Sequence, residues 1–484
     1  MKSLGQQVIA GVFASVFLIG MFGAMTSVFS SPESDLRASA EEYTSATRGD
    51  IIVGVNISFE PYRDIVNNAG YHGPLAGLVK APNGDYLMFV RNGTSHAGPG
   101  DYGILEVYRS TDDGVSFSFN LTLLAVDDRD VRNIAAGVGA TGRIFVFAWV
   151  FDCDNVSSAI LPELGDLDYK YSDNSGSTWS VVHTMTIAVM DDWTDDSSPY
   201  GKLEILDNGR IGFPYYGFDS RWNVNNTRAR FCYSDDNGAN WTSTNISAVG
   251  SFATNDAATE TDIAYLGGGQ LVAISRIESV SPYHHMYTSV DNGVTWIPRG
   301  ERVFASNSMR GPTLATIKDN AGGIWVVAFA VYNNYFYNLA YGPDLMADGS
   351  AAWAGVQQWA PGSVATGYGL IGAGVFDEDT GHGLLIATEY SLGSTAKISA
   401  QNVNVTITMS YEQRIDARYG PQISPIIKLT FVFLGLLLVL PLLSFAMGAM
   451  EGEETNIAGL IGSVVLIVVG AIMLVVAYKM MAGG

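Results

Sequence analysis

Hydropathy divides the chain into apolar stretches at its ends and a long middle of short strand-like runs. Between about residue 55 and residue 410, short and largely apolar strand-like runs recur, such as Asp85–Val90, Gln270–Ser275 and Ile324–Ala328. Apolar runs this short, rich in β-branched and aromatic residues and bounded by turn residues, predict strands. Ile104–Tyr108 and Ala229–Tyr233 are strand-like as well, and each leads into a copy of one repeated motif.

The motif reads Ser110-Thr-Asp112-Asp-Gly114-Val-Ser-Phe117, then Ser172-Asp-Asn174-Ser-Gly176-Ser-Thr-Trp179. It returns as Ser234-Asp-Asp236-Asn-Gly238-Ala-Asn-Trp241 and Ser289-Val-Asp291-Asn-Gly293-Val-Thr-Trp296, with a degenerate fifth copy at Asp348–Trp353. In the template S-x-D-x-G-x-x-W, the Asp or Asn bonds the backbone two residues on and the Gly takes a positive φ. The aromatic residue returns onto the same strand pair, which predicts a self-clasped hairpin. The glycines fall 62, 62 and 55 residues apart. That spacing matches one four-stranded blade of a β-propeller, and about 350 residues at about 60 per blade predict six blades, with seven as the alternative.

The ends carry a different signal. Val8–Phe29 is almost wholly apolar, follows Lys2 and precedes Ser30, Ser31 and Pro32. It is longer than the usual core of a signal peptide and close to a bilayer span, so a cleaved signal and an uncleaved anchor both fit. Ile426–Met447 and Ile457–Tyr478 are apolar again, separated by an acidic loop containing Glu451, Glu453 and Glu454, and they predict a transmembrane helical hairpin. The loop holds no Lys or Arg, so charge does not orient the pair. The expected organisation is a signal peptide or signal anchor (1–31), a linker (32–54), an all-β propeller (55–412) and a second linker (413–424). A transmembrane helix (425–448), an acidic loop (449–456) and a second transmembrane helix (457–479) complete it. This places the propeller on the extracytoplasmic side of the cell membrane, with membrane lipid as a partner of the terminal segments.

Composition narrows the partners. Aromatic residues make up 11% and glycines number 54, which suits short strands and tight turns. Lys and Arg total 26 against 48 Asp and Glu, a formal charge of −22 with no basic block, which excludes a nucleic-acid partner. Cys153 and Cys232 have no metal-ligand spacing and leave open one disulfide or two buried thiols. The acids Asp191, Asp192, Asp195 and Asp196 show no regular ligand pattern and read as a solvated loop, so neither metal nor cofactor is expected. Sequons begin at Asn56, Asn92, Asn120, Asn155, Asn225, Asn240, Asn245 and Asn404, all between the apolar ends, as in an exported domain.

With this repeat the chain resembles the sialidase/neuraminidase superfamily, whose mark is the Asp-box (BNR) repeat on a six-bladed propeller. The resemblance covers most of residues 70–410. It implies a Tyr nucleophile assisted by Glu, an acid on a loop, and an Arg cluster for the substrate carboxylate. Gly367-Tyr368-Gly369 matches the nucleophile strand, with Glu389 closing its hairpin. Glu260-Thr-Asp262, leading through Ile263–Ser275 to Arg276, matches the Glu and Arg landmark. The acid loop runs from Arg91 through His96 to Asp101, making Asp101 the acid and His96 its rival, with Arg91 on the substrate side. Tyr71-His72-Gly73-Pro74 puts His72 where the family has Arg. The last Arg is missing from Tyr332–Tyr341, and Arg310 belongs to a different landmark.

A phenol suits a substrate whose own carboxylate repels a carboxylate nucleophile, and Arg grips that carboxylate bidentately as His does not. The resemblance implies a glycan or glycoprotein partner and an exo-glycosidase acting on a terminal sugar. With two of three arginines unassigned, the rival reading is a non-catalytic receptor or adhesin. A third is a polysaccharide lyase using His72 and Tyr368.

Overall fold

The computed structural model describes residues 53–409 apart from 61–62, 68–70, 73–76, 94–99, 101, 152–164, 186–196, 218–226, 248–257, 278–283, 303–309, 321, 333–334, 342–352, 360–367 and 391–396. Both expected membrane helices and the expected signal segment lie outside them. Among the described residues no helix is long and apolar enough to cross a membrane.

Strands account for the fold. β1 (Val53–Phe59) and β2 (Arg63–Asn67) come first. Sheet 1 holds β3 (Tyr71–His72), β4 (Gly77–Lys80), β5 (Tyr86–Gly93), β6 (Ile104–Ser110) and β7 (Ser118–Leu124). Sheet 2 holds β8 (Asp130–Val138), β9 (Ile144–Phe151), β10 (Asp166–Ser172) and β11 (His183–Thr184). In sheet 3 are β12 (Ser197–Pro199), β13 (Glu204–Ile205), β14 (Ile211–Gly217), β15 (Arg228–Ser234) and β16 (Thr242–Asn245). Sheet 4 comprises β17 (Ala258–Gly267), β18 (Gln270–Ile277), β19 (His284–Ser289) and β20 (Ile297–Arg302). Sheet 5 comprises β21 (Arg310–Lys318), β22 (Ile324–Tyr332), β23 (Tyr335–Tyr341) and β24 (Trp353–Trp359). Finally β25 (Tyr368–Phe376), β26 (His382–Tyr390) and β27 (Lys397–Met409) form sheet 6, whose remaining strands are β1 and β2.

The sheets are antiparallel; sheets 1 to 5 follow chain order outward from an inner strand, while sheet 6 takes its outer strands from β1 and β2, the arrangement of a closed β-propeller. Inner strands touch in sequence round the ring, and β25 meets β4 to close it. They run the same way, with Ala136 of β8 bridging in parallel to Lys202 and Thr313 of β21 beside Gly374 of β25. The apolar face of each sheet is buried against the next. One cluster, for example, joins Leu87 and Phe89 of sheet 1 to Ile134 and Val146 of sheet 2.

The four repeated turns share one construction. Ser110, Ser172, Ser234 and Ser289 each accept the N–H of the turn glycine at 2.8–2.9 Å. Asp112, Asn174, Asp236 and Asp291 accept the N–H four residues on, at 2.8–2.9 Å, where a bond two residues on was expected. The residue before each glycine is also left-handed: Asp113 has φ 58°, Ser175 54°, Asn237 55° and Asn292 59°. Nor does the aromatic residue simply clasp its own hairpin. Trp179 packs edge-on against Phe89 of the preceding sheet, Trp241 against Phe145 and Phe147, and Trp296 against Phe231. The apolar surface such a ring buries is larger between two sheets than on one exposed hairpin. Cys232 is a buried free thiol in this core, while Cys153 lies outside the described residues.

Candidate active site

Because the inner strands run the same way, their first residues gather at one rim of the ring. Bulges interrupt four of them: after Arg132 in β8, before Thr261 in β17, after Arg310 in β21 and after Ile371 in β25. An extra residue of this kind bends a strand and re-aims its side chains, which is why bulges collect at rims and beside active sites. In β8 the bulge residue is Asn133, with φ 53°, and its amide donates to Ser198 and, at 2.9 Å, to Tyr216 of sheet 3.

Glu260 of β17 and Arg276 of β18 form an ion pair. Arg276 stands at the end of β18, and its Nη1 lies 2.9 Å from Glu260 Oε2. The backbone N–H of Gly311 donates to the same oxygen at 2.9 Å. The carboxylate therefore joins sheets 4 and 5 and has a charge partner and a fixed donor. His284 pairs with Arg276 across β18 and β19, and burial together with that guanidinium pushes its pKa down to about 3.

Arg91 is 1% exposed, its Nε 2.8 Å from Asp130 Oδ1 in a buried pair joining sheets 1 and 2. Gly93 and Gly103 make room for it, since a Cβ on either would lie 2.5 Å from a guanidinium nitrogen. The sequence placed Arg91 on the substrate side. The structure surrounds it with protein, beside Tyr71 and His72, whose backbones pair with Gly93 and Asn92.

Arg310 opens β21, the inner strand of the sheet that also contains Tyr332–Tyr341. Tyr332–Tyr341 spans the end of β22 and the whole of β23, the second and third strands of that sheet. Tyr368 opens β25, in register with Tyr390, and Gly369 faces Glu389. Asp101 and His96 lie outside the described residues.

Several rim residues are not singled out by any sequence motif: Asp130, Arg132, Asn133, Ser198, Tyr200 and Tyr216. One signal was available, polar residues opening otherwise apolar strands, as in Asp130-Val-Arg132-Asn133. Just below the rim, Lys202 Nζ lies 3.3 Å from Asp262 Oδ2 and 3.4 Å from Glu204 Oε1, and donates to the carbonyl of Leu314 at 2.8 Å. Asp262 also accepts the N–H of Leu314 at 2.7 Å, two residues beyond Glu260 on the same strand. This cross-tie fixes the spacing of β17 and β21, and with it the approach of Gly311 to Glu260.

No family model matches the sequence, and no curated protein matches it. Solved structures do. A protein of unknown function from Dyadobacter fermentans is similar at 15% identity and a TM-score of 0.57, over 72% of this chain and 99% of its own. The NanB sialidase of Streptococcus pneumoniae is similar at 12% identity and a TM-score of 0.54, over 71% of each chain. A leech intramolecular trans-sialidase, solved with 2,7-anhydro-Neu5Ac, is similar at 14% and 0.52, over 77% of this chain and 72% of its own. At such identities the likeness is one of fold, and the fold is a sialidase-like β-propeller.

Proposed function

We propose that this propeller acts on glycans as a retaining exo-glycosidase for a terminal sugar. The observation that carries the reading is the Glu260–Arg276 pair at the rim, tied to the strand that begins with Arg310. In this reading each of the six sheets is one blade and the repeated turns are Asp-boxes. Tyr368 attacks the anomeric carbon and passes its phenolic proton to Glu260, while Asp101 protonates the departing glycosidic oxygen. Water then attacks the glycosyl–tyrosine bond, giving one proton to Asp101, and Glu260 returns its proton to the phenolate. Arg276 and Arg310 bind an anionic group of the sugar, and His72 stands in for a third arginine with a weaker, monodentate contact.

A hydrolysis assay with 4-methylumbelliferyl sialoside and a panel of other glycosides tests this. Fluorophore release that falls at least about 100-fold in Tyr368→Phe and Glu260→Gln supports the mechanism. Silence of the folded protein across the panel overturns it and leaves the binding propeller, to be sought as saccharide affinity without turnover. We further propose that the terminal segments anchor the chain in the cell membrane with the propeller outside. Release of the uncleaved chain by alkaline carbonate extraction would remove that part of the reading.

A further inference from the structure

Tyr200 lies between β12 and β13, and its side chain is 1% exposed. No hydrogen-bond partner reaches its hydroxyl among the described residues. A buried hydroxyl left this way is destabilising, so an orphan phenol beside the candidate site calls for a use. Its surroundings are charged. A Cβ on Gly311 would overlap the phenol oxygen and lie 3.2 Å from Glu260 Oε2, so the two oxygens border the same point above that glycine. Burial, with the carboxylates of Glu260 and Asp262 nearby, pushes the phenol pKa well above its ordinary value. Tyr200 is therefore a donor at any working pH.

Glu260 Oε2 is served by Arg276 and by the Gly311 N–H. The backbone donor is fixed. The Arg276 side chain is 21% exposed, so an anion arriving at the rim competes for its guanidinium. We propose that Tyr200 is a reserve donor: when Arg276 turns to an anionic ligand, the Tyr200 O–H moves onto Glu260 and keeps that carboxylate in place. Tyr200 is then a positioning residue, acting through Glu260. The anionic ligand rests on the glycan reading above, whereas the exchange of donors is a property of Tyr200, Glu260, Arg276 and Gly311 alone.

A double-mutant cycle on the full-length chain separates the two. In the unaltered protein, Tyr200→Phe deletes an unpartnered hydroxyl, and the melting temperature is expected to stay level or rise. In an Arg276→Ala background the hydroxyl has moved onto Glu260, so the same change is expected to lower the melting temperature. An equal shift in both backgrounds overturns the proposal. Should Arg276→Ala not fold, Arg276→Gln serves the same cycle. A crystal structure of either Arg276 variant gives a readout that a packing role would not move. The phenol oxygen is expected at about 2.7 Å from a Glu260 oxygen, and an unmoved phenol counts against the proposal. Absence of glycosidase activity would sink the functional reading without touching either measurement.

Discussion

The glycine of each repeated turn answers to two constraints, of which the sequence displays one. The S-x-D-x-G-x-x-W spacing makes a positive φ legible, and the four glycines have φ of 76–89°. The second constraint comes from the preceding sheet. A Cβ on Gly114 would meet Leu384 at 2.5 Å, on Gly176 Leu87 at 2.5 Å, and on Gly238 Phe145 at 2.6 Å. Those partners are remote in sequence, so no local pattern reveals them. Gly84 also has a positive φ, of 94°, but open space where its Cβ would be. Gly238→Ala is therefore expected to cost roughly 3 kcal/mol, backbone strain plus overpacking, and Gly84→Ala only about 1 kcal/mol. Urea unfolding of the two variants checks the difference. The role of the motif serine was equally hidden, because its bond to the glycine N–H exists only once the turn has closed.

Strands are legible because a short apolar run bounded by turn residues is a local property, and Gln270–Ser275 falls within β18 just as Ile324–Ala328 falls within β22. Bulges are not legible, since one extra residue in a strand looks like any irregular stretch. Gly311–Pro312 is such a case: it breaks the pattern just after Arg310 and separated that residue from the sheet it opens. Contacts between sheets form a second regularity absent from the sequence. Donors from one sheet latch onto the next sheet's turn: Arg63 to the Gly114 carbonyl, Arg109 to that of Ser175 and Arg210 to that of Asn292, at 2.8–3.0 Å. Arg210 also forks onto Asp235 at 2.7 and 2.9 Å and lies 3.7 Å from the centre of the Tyr233 ring. Truncating it to Ala is expected to cost about 1–2 kcal/mol, whereas Arg129→Ala, which removes an exposed pair with Asp166, costs about 0.5 kcal/mol or less. Thermal unfolding of both variants side by side tests the contrast.

At the scale of the molecule, acid sensitivity follows from the two histidines opening β19. Burial lowers His285 to about pH 4, and burial with Arg276 lowers His284 to about 3, both below the unfolded value of 6.5. Between those limits the unfolded chain binds more protons than the folded one. Stability is thus fully present above pH 6.5 and declines as pH falls toward 3. The turn carboxylates act in a lower window: hydrogen bonds from Ser116 and Asn240 hold Asp112 and Asp236 at about 2, so their contribution is lost only below about pH 3.8. Unfolding free energy measured from pH 7 to 5 is expected to fall less steeply in His284→Gln, and an unchanged slope would contradict this. Ring closure has a further consequence. Glu60 accepts from Asn402 and Gln401, and Arg63 to Asn67 pair with Ala400 to Lys397, so β1 and β2 run antiparallel along β27. The strand entering at Val53 and the strand leaving at Met409 consequently meet the sheet at the same end. Tension applied between those two points loads the ladder in the unzipping direction, one hydrogen bond at a time, rather than shearing all of them together. A ring held by cores shared between its sheets would then open under such a pull at its own seam.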